Sequence, residues 1–286
     1  MRGILALLLV VVSVVAVACG SSTADGGKES VVAAFYPLAW AAEQVGGNAV
    51  DVVNLTPPGA EPHDIELTPR DVERIDGADL VLYLGGGFMA ALEDAVRGRE
   101  TAVDLLHGER LRTEAEGSGS GTDPHVWLDP RRYARIVERI GGALGRPGRA
   151  RSLDARLDRL DAEYRSGLAH CARREIVTSH AAFGYLASAY GLTQIPLLGL
   201  SPEAEPSPRA LAALVDEVER SGATTVFFET LVSPKLAETV AREAGVGTAV
   251  LDPIEGLDEG EVAAGDDYFT VMRRNLVTLR KALGCR

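Results

Sequence analysis

"PGRARSLDARLDRLDAEYRSGL", Pro147 to Leu168, is the stretch on which the fold turns. Leu153, Leu157, Leu160, Tyr164 and Leu168 recur at a spacing near 3.6 and mark one apolar stripe of a helix that opens at Pro147. Asp161/Arg165 and Arg159/Glu163 lie four apart on its polar side, a spacing that supports a helix modestly. At 1.5 Å per residue, twenty-odd residues make a rod of about 30 Å, the width of a small domain. A helix of that length in mid-chain joins two bodies.

The sequence on either side supports this. Before the rod, Val31–Phe35, Val50–Leu55, Leu80–Leu84 and Ala102–Leu106 read as strands, with helices over Leu38–Val45, Thr68–Ile75 and Phe88–Val96. Thr68-Pro69 is a helix start, with Thr as cap and Pro at the first helical position. A Gly/Ser-rich loop, Glu114 to Thr122, and a helix from Pro130 to about Leu144 come next. After the rod, strands are expected at Glu175–Ser179, Gln194–Leu198, Thr225–Glu229 and Thr248–Asp252, and helices at Ala182–Tyr190, Pro208–Ser221, Pro234–Ala244 and Asp267–Leu283. This alternation implies two Rossmann-like α/β lobes with mainly parallel sheets, joined by one long linking helix. The expected division is a leader over 1–18, a tether over 19–29, a lobe over 30–146, the linking helix over 147–171 and a second lobe over 172–286.

The 286 residues suffice for two ordinary domains, and a hydrophobic fraction of 46% gives each a core. A net charge of -12 with no basic stripe argues against nucleic acid as a partner. Ile4 to Val17 is an apolar run of about 14 residues, too short to cross a bilayer comfortably. It ends in small residues before Cys19, a pattern that resembles a bacterial lipobox, although Ala16 stands where Leu is more usual. Lipidation of Cys19 is therefore expected, with residues 20–27 as a flexible tether and the mature chain held at the outer face of the cell membrane. An exported protein meets an oxidising compartment, so Cys171 and Cys285 are expected to pair; two buried thiols are the alternative.

Of five histidines, His107 and His170 lie among polar residues near element ends and read as solvated. The other three share a position. His63 follows a strand in "GAEPHDIELTP", His125 follows the Gly/Ser loop in "TDPHVWLDP", and His180 ends a strand in "EIVTSHAAFGYLA". Asp252, in "VLDPIEGL", ends the last strand in the same way. Open α/β sheets bind ligands outside the carboxyl ends of their strands, so these residues could share a site in the cleft between lobes. Spacing alone leaves a second reading open, in which each histidine is merely hydrogen-bonded at its own strand end.

The motifs "PHDIELTP", "DPHVWLDP", "TSHAAFGYLA" and "LDPIEGL", in that order, resemble those of the cluster A-I metal-binding lipoproteins of bacterial ABC importers. The resemblance implies that His63, His125, His180 and Asp252 ligate a divalent metal between the lobes, and that the rod is that family's fixed linking helix. "GLSPEAEPSP" and "ETLVSPKLAETVA" resemble the zinc-uptake branch, which implies capture of zinc and delivery to a permease, by a monomer that is not an enzyme. Manganese binding is the alternative within the family. The long His-rich loop of many zinc-specific members is missing, since the corresponding segment carries only His107.

Neutral imidazoles and a carboxylate suit a borderline ion such as zinc, and four of them close a tetrahedral shell. Pro57, Pro58 and Pro62 stiffen the His63 loop. Glu61, Asp64 and Glu66 read as shaping an acidic entrance or orienting His63, and Glu229 and Asp129 are weaker candidates for holding a ligand in place. A zinc hydrolase would need an open coordination position and a general base, and no HExxH or nucleophile elbow occurs. Nothing in the residues separately supports a surface adhesin.

Overall fold

Eight short strands form two separate four-stranded parallel sheets in a computed structural model that describes residues 27–113, 121–202 and 206–286. The leader, Cys19 and residues 114–120 of the Gly/Ser stretch lie outside the described residues. The first lobe contains β1 (Glu29–Ala33), α1 (Tyr36–Gly46), β2 (Val50–Asn54), α2 (Pro69–Gly77), β3 (Leu80–Tyr83), α3 (Ala90–Ala95) and β4 (Ala102–Asp104). Its strand order is β2-β1-β3-β4. Helices α4 (Pro130–Ala143) and α5 (Pro147–Gly167) follow, and α5 is the rod. The second lobe contains β5 (Glu175–Thr178), α6 (Gly184–Tyr190), β6 (Thr193–Pro196), α7 (Pro208–Ser221), β7 (Thr225–Phe228), α8 (Lys235–Glu243), β8 (Gly247–Val250), α9 (Glu259–Ala264) and α10 (Tyr268–Leu283). Its order is β6-β5-β7-β8, the same winding as the first.

Local chemistry accounts for the element ends. Thr68 and Asp71 form a capping box at the start of α2, with Pro69 in the first turn. Ser207 caps α7, which ends on Gly222 in the left-handed conformation. Pro196 cannot donate to a ladder and sits on the edge strand β6, where that loss is tolerated. Helix α9 is not evident from periodicity. It is only six residues long, and its start is fixed by an Asp258/Glu261 capping box rather than by an apolar stripe.

The lobes are packed into each other. One continuous core runs from β1 and α1 through Trp127, Tyr133, Leu157 and Tyr164 to Tyr268, Met272 and Leu251. A smaller cluster around Val218, Val226 and Val240 lies beneath α7 and α8. The apolar stripe of α5 is buried as its spacing requires, and Tyr164 Oη donates to the carbonyl of Met272 at 2.6 Å. Of the two expected helix pairs, Arg165–Asp161 forms, whereas Glu163 turns to Arg273 of α10. Trp127 Nε1 donates to the carbonyl of Pro253 at 2.7 Å, and Tyr268 Oη to that of Trp127 at 2.6 Å, so hydrogen bonds cross between lobes just behind the cleft.

Cys171 and Cys285 form a disulfide that ties the approach to β5 to the end of α10. Flanking it, Arg173 N–H donates to the carbonyl of Leu283 and Arg286 N–H to that of His170.

Candidate metal centre

Each expected histidine stands beside or within a short 3-10 turn at the mouth of the cleft: Pro62–Asp64, Val126–Leu128 and Ala181–Phe183. A side chain leaving such a turn is fixed by a few local bonds, and here those bonds are carboxylates. Asp123 Oδ1 accepts from both the backbone N–H (3.0 Å) and Nδ1 (2.9 Å) of His125. Glu229 Oε1 accepts from Nδ1 of His180 at 2.6 Å and also from Ser179 Oγ. Each carboxylate selects the tautomer that presents Nε2 to the cleft and makes it a stronger donor. The carbonyl of His180 is held by Thr178 Oγ1 and Gln194 Nε2.

His63 is held differently. Gly59, at φ +80°, turns the loop so that its N–H donates to the carbonyl of Leu257 in the second lobe at 3.0 Å. Glu61 caps the following turn by accepting from His63 N–H at 3.1 Å. The ring of Phe88 meets the His63 ring edge-on, with centroids 4.7 Å apart.

The three Nε2 atoms converge on one carboxylate, and it belongs to Glu255. Its Oε1 lies 2.9 Å from His125 Nε2 and 3.4 Å from the Nε2 atoms of His63 and His180. The last two imidazoles to close the group, those of His125 and His180, approach to 3.4 Å. The donor atoms of His63, His125, His180 and Glu255 all lie within 4.8 Å of one another. Metal–ligand bonds of about 2.0–2.1 Å in a tetrahedron require donor separations of about 3.3 Å. The observed separations of 2.9–3.4 Å bracket that value, so the four side chains fit a four-coordinate ion with little movement.

Asp252, expected as the fourth donor, is not in this group. Its Oδ1 accepts from Ile254 N–H at 2.6 Å, its Oδ2 accepts from Thr230 Oγ1 at 3.3 Å, and its backbone is bonded on both sides to the amide of Asn275. Asp252 builds the turn and Glu255, three residues on, is delivered by it. Between them Ile254 adopts φ +57°, the sole non-glycine with positive φ among the described residues. For a β-branched residue that conformation costs on the order of 1–3 kcal/mol, and full burial of the Ile254 side chain holds it there.

Charges in the group are interdependent. Burial opposes protonation of His180 and His125, but the charges of Glu229 and Glu255 on the first, and the hydrogen bonds of Asp123 and Glu255 on the second, outweigh it and raise both pKa values. Burial likewise opposes ionisation of Glu255, yet the surrounding imidazoles hold it well below the ordinary carboxylate range. Burial, then the charge of Glu255, pushes Glu61 up to about 9, and burial pushes Asp252 up to about 7. Three oxygens here are buried without a hydrogen-bond partner: Glu61 Oε2, Glu229 Oε2 and Glu255 Oε2. A cluster of imidazoles and unsatisfied carboxylate oxygens is a receptor for a cation.

The remaining expected residues fall elsewhere. Asp129 caps α4 by accepting from Arg131 N–H and touches no member of the group. His107 and His170 are exposed. Sequence reasoning missed Asp123 and Glu255. Asp123 was legible as an acid two residues before a histidine, the spacing of a side chain that folds back on its own backbone. Glu255 was visible only as a second acid in the motif that holds Asp252.

The chain is similar to known zinc-binding proteins. The family model for zinc-uptake complex component A, periplasmic (ZnuA), matches residues 31–282. The zinc-binding protein AdcA of Streptococcus pyogenes serotype M1 is 38% identical over 287 residues, covering 89% of this chain and 56% of AdcA, so the chain spans little more than half of that relative. The high-affinity zinc uptake system protein ZnuA of Bacillus subtilis is 33% identical over 301 residues, covering 93% of each. The crystal structure of the Zn(II)-bound ZnuA-like domain of Streptococcus pneumoniae AdcA superposes with a TM-score of 0.77 at 34% identity, over 90% of this chain and 99% of that domain. With a family match over nearly all of the described lobes, the chain belongs to the ZnuA family of zinc-uptake complex components.

Proposed function

We propose that this protein captures a zinc ion between its lobes with His63, His125, His180 and Glu255 and delivers it to the membrane permease of an ABC importer. The observation that carries the reading is the convergence of three Nε2 atoms and one carboxylate oxygen at separations suited to tetrahedral zinc. Manganese(II) stands low in the affinity order and favours oxygen donors and higher coordination numbers, so a nitrogen-rich set of four selects against it. Four protein donors leave no coordination position for a reactive water, which supports a binding protein over a hydrolase. The relatives' names and the Zn(II)-bound neighbour point to the same metal.

Anchoring through Cys19 at the outer face of the cell membrane supports this role, because a tethered receptor stays near its permease; action as a monomer with lobes near 30–146 and 172–286 around the 147–171 link completes the reading. Competition titrations at neutral pH test it: zinc should bind one to one and much more tightly than manganese. His180→Glu, which adds a hard oxygen donor, should narrow the gap. A wild-type preference for manganese would overturn the assignment.

A further inference from the structure

Of the four converging side chains, His63 alone reaches solvent. The His63 side chain keeps 10% of its surface exposed, whereas those of His125, His180 and Glu255 keep 0%. An ion entering or leaving therefore passes His63, along the loop that Gly59 clips to Leu257 and that Phe88 backs. Glu61 stands on that loop. Its Oε1 is committed to His63 N–H, but its Oε2 is buried and accepts from no donor. A buried carboxyl oxygen without a partner is costly, and a passing cation is a partner that satisfies it. Glu61 is also outside the group of mutually close donor atoms, so it is not placed as a permanent ligand.

We propose that Glu61 is the hand-over carboxylate of the site, a transient ligand that accepts the incoming cation from solvent and passes it to His63 and Glu255, and takes it again on release. The inference rests on the reading that these four residues bind a divalent ion. A transient ligand lowers the barrier in both directions and leaves the end states alone. A permanent ligand instead stabilises the bound state and slows dissociation.

Stopped-flow measurement of zinc association, and of dissociation into excess chelator, separates these roles in the full mature chain. The amide oxygen of Glu61→Gln still accepts from His63 N–H, so the turn and the melting temperature are retained. Both rates should then fall about tenfold while the dissociation constant changes by less than about threefold, a kinetic signature distinct from the usual change in dissociation alone. Glu61→Asp, which keeps the carboxyl group, should recover part of the loss. Unchanged rates in Glu61→Gln would overturn the proposal, as would weaker binding with faster dissociation, which would make Glu61 a permanent donor. Failure of the wild-type chain to bind zinc at all would overturn the functional reading instead.

Discussion

Glu229 Oε1 accepts a hydrogen bond from His180 Nδ1 at 2.6 Å while the Nε2 of the same ring faces Glu255 at 3.4 Å, so one imidazole is stretched between two carboxylates from different strand ends. Asp123 does the same for His125. Glu229 and Asp123 fix ring orientation and raise donor strength from outside the group of four converging donors. Glu229→Gln and Asp123→Asn should each weaken zinc affinity about 10–100-fold. Competition with a chromogenic chelator measures it, and wild-type affinity in both variants would show that the rings need no such support.

Glu255 and Asp252 should separate cleanly by mutation. Glu255→Ala removes a donor and should reduce zinc affinity far more than Asp252→Asn, which keeps an acceptor for Ile254 N–H and leaves all four donors in place. Equal losses in the two variants would return Asp252 to the ligand set.

Protons compete with the metal. The carboxylates beside His180 and His125 raise both pKa values, so these rings hold their protons more tightly than a free imidazole and zinc competes with those protons. Affinity should rise with pH and continue rising above the ordinary histidine range near 6.5. For the metal-free protein, the raised histidine values supply stability that is full below 6.5 and fades as pH rises through the folded-state pKa, while the lowered Glu255 supplies stability that fades as pH falls. The gain in melting temperature on adding zinc should therefore widen from pH 6 to pH 8 (about neutrality and either side). Calorimetry in buffers of different ionisation enthalpy should report proton release, and none would contradict the charge assignment.

Lobe movement should be small. The core is continuous across the lobes and α5 is buried along its stripe, so metal binding has no dry interface to open cheaply. Scattering curves of metal-free and zinc-bound protein should nearly superimpose; a large change in radius of gyration would refute a rigid frame.

The disulfide should matter for stability and little for metal. It closes a separation of 114 residues, worth about 4–5 kcal/mol in the chain-entropy model. Replacing Cys171 and Cys285 together by Ser should lower the denaturation midpoint substantially and leave zinc affinity within about threefold, since the bridge lies at the far end of α10 from the cleft. A large loss of affinity would mean that the second lobe is not held by its core.

The sequence by itself determined the frame. Short β-branched runs reported the strands and a 3.6-residue apolar period the rod, because burial selects apolar side chains on each element, and the stripe of Leu153, Leu157, Leu160 and Tyr164 is buried as its spacing demands. The three histidines were singled out by their places after strands or loops, but only the motif resemblance chose a shared site over three separate hydrogen bonds, since His180 alone closely follows a strand. Tertiary structure alone decided which carboxylate meets the three imidazoles. Asp252 and Glu255 are three residues apart in one motif, and the choice between them depends on which backbone amides and hydroxyls reach the first of them. Ile254 N–H, Thr230 Oγ1 and Asn275 occupy Asp252 and its backbone, and the left-handed turn at Ile254 sends Glu255 to the imidazoles. No local pattern records that competition, because its participants come from loops and helices that meet only when the chain has folded.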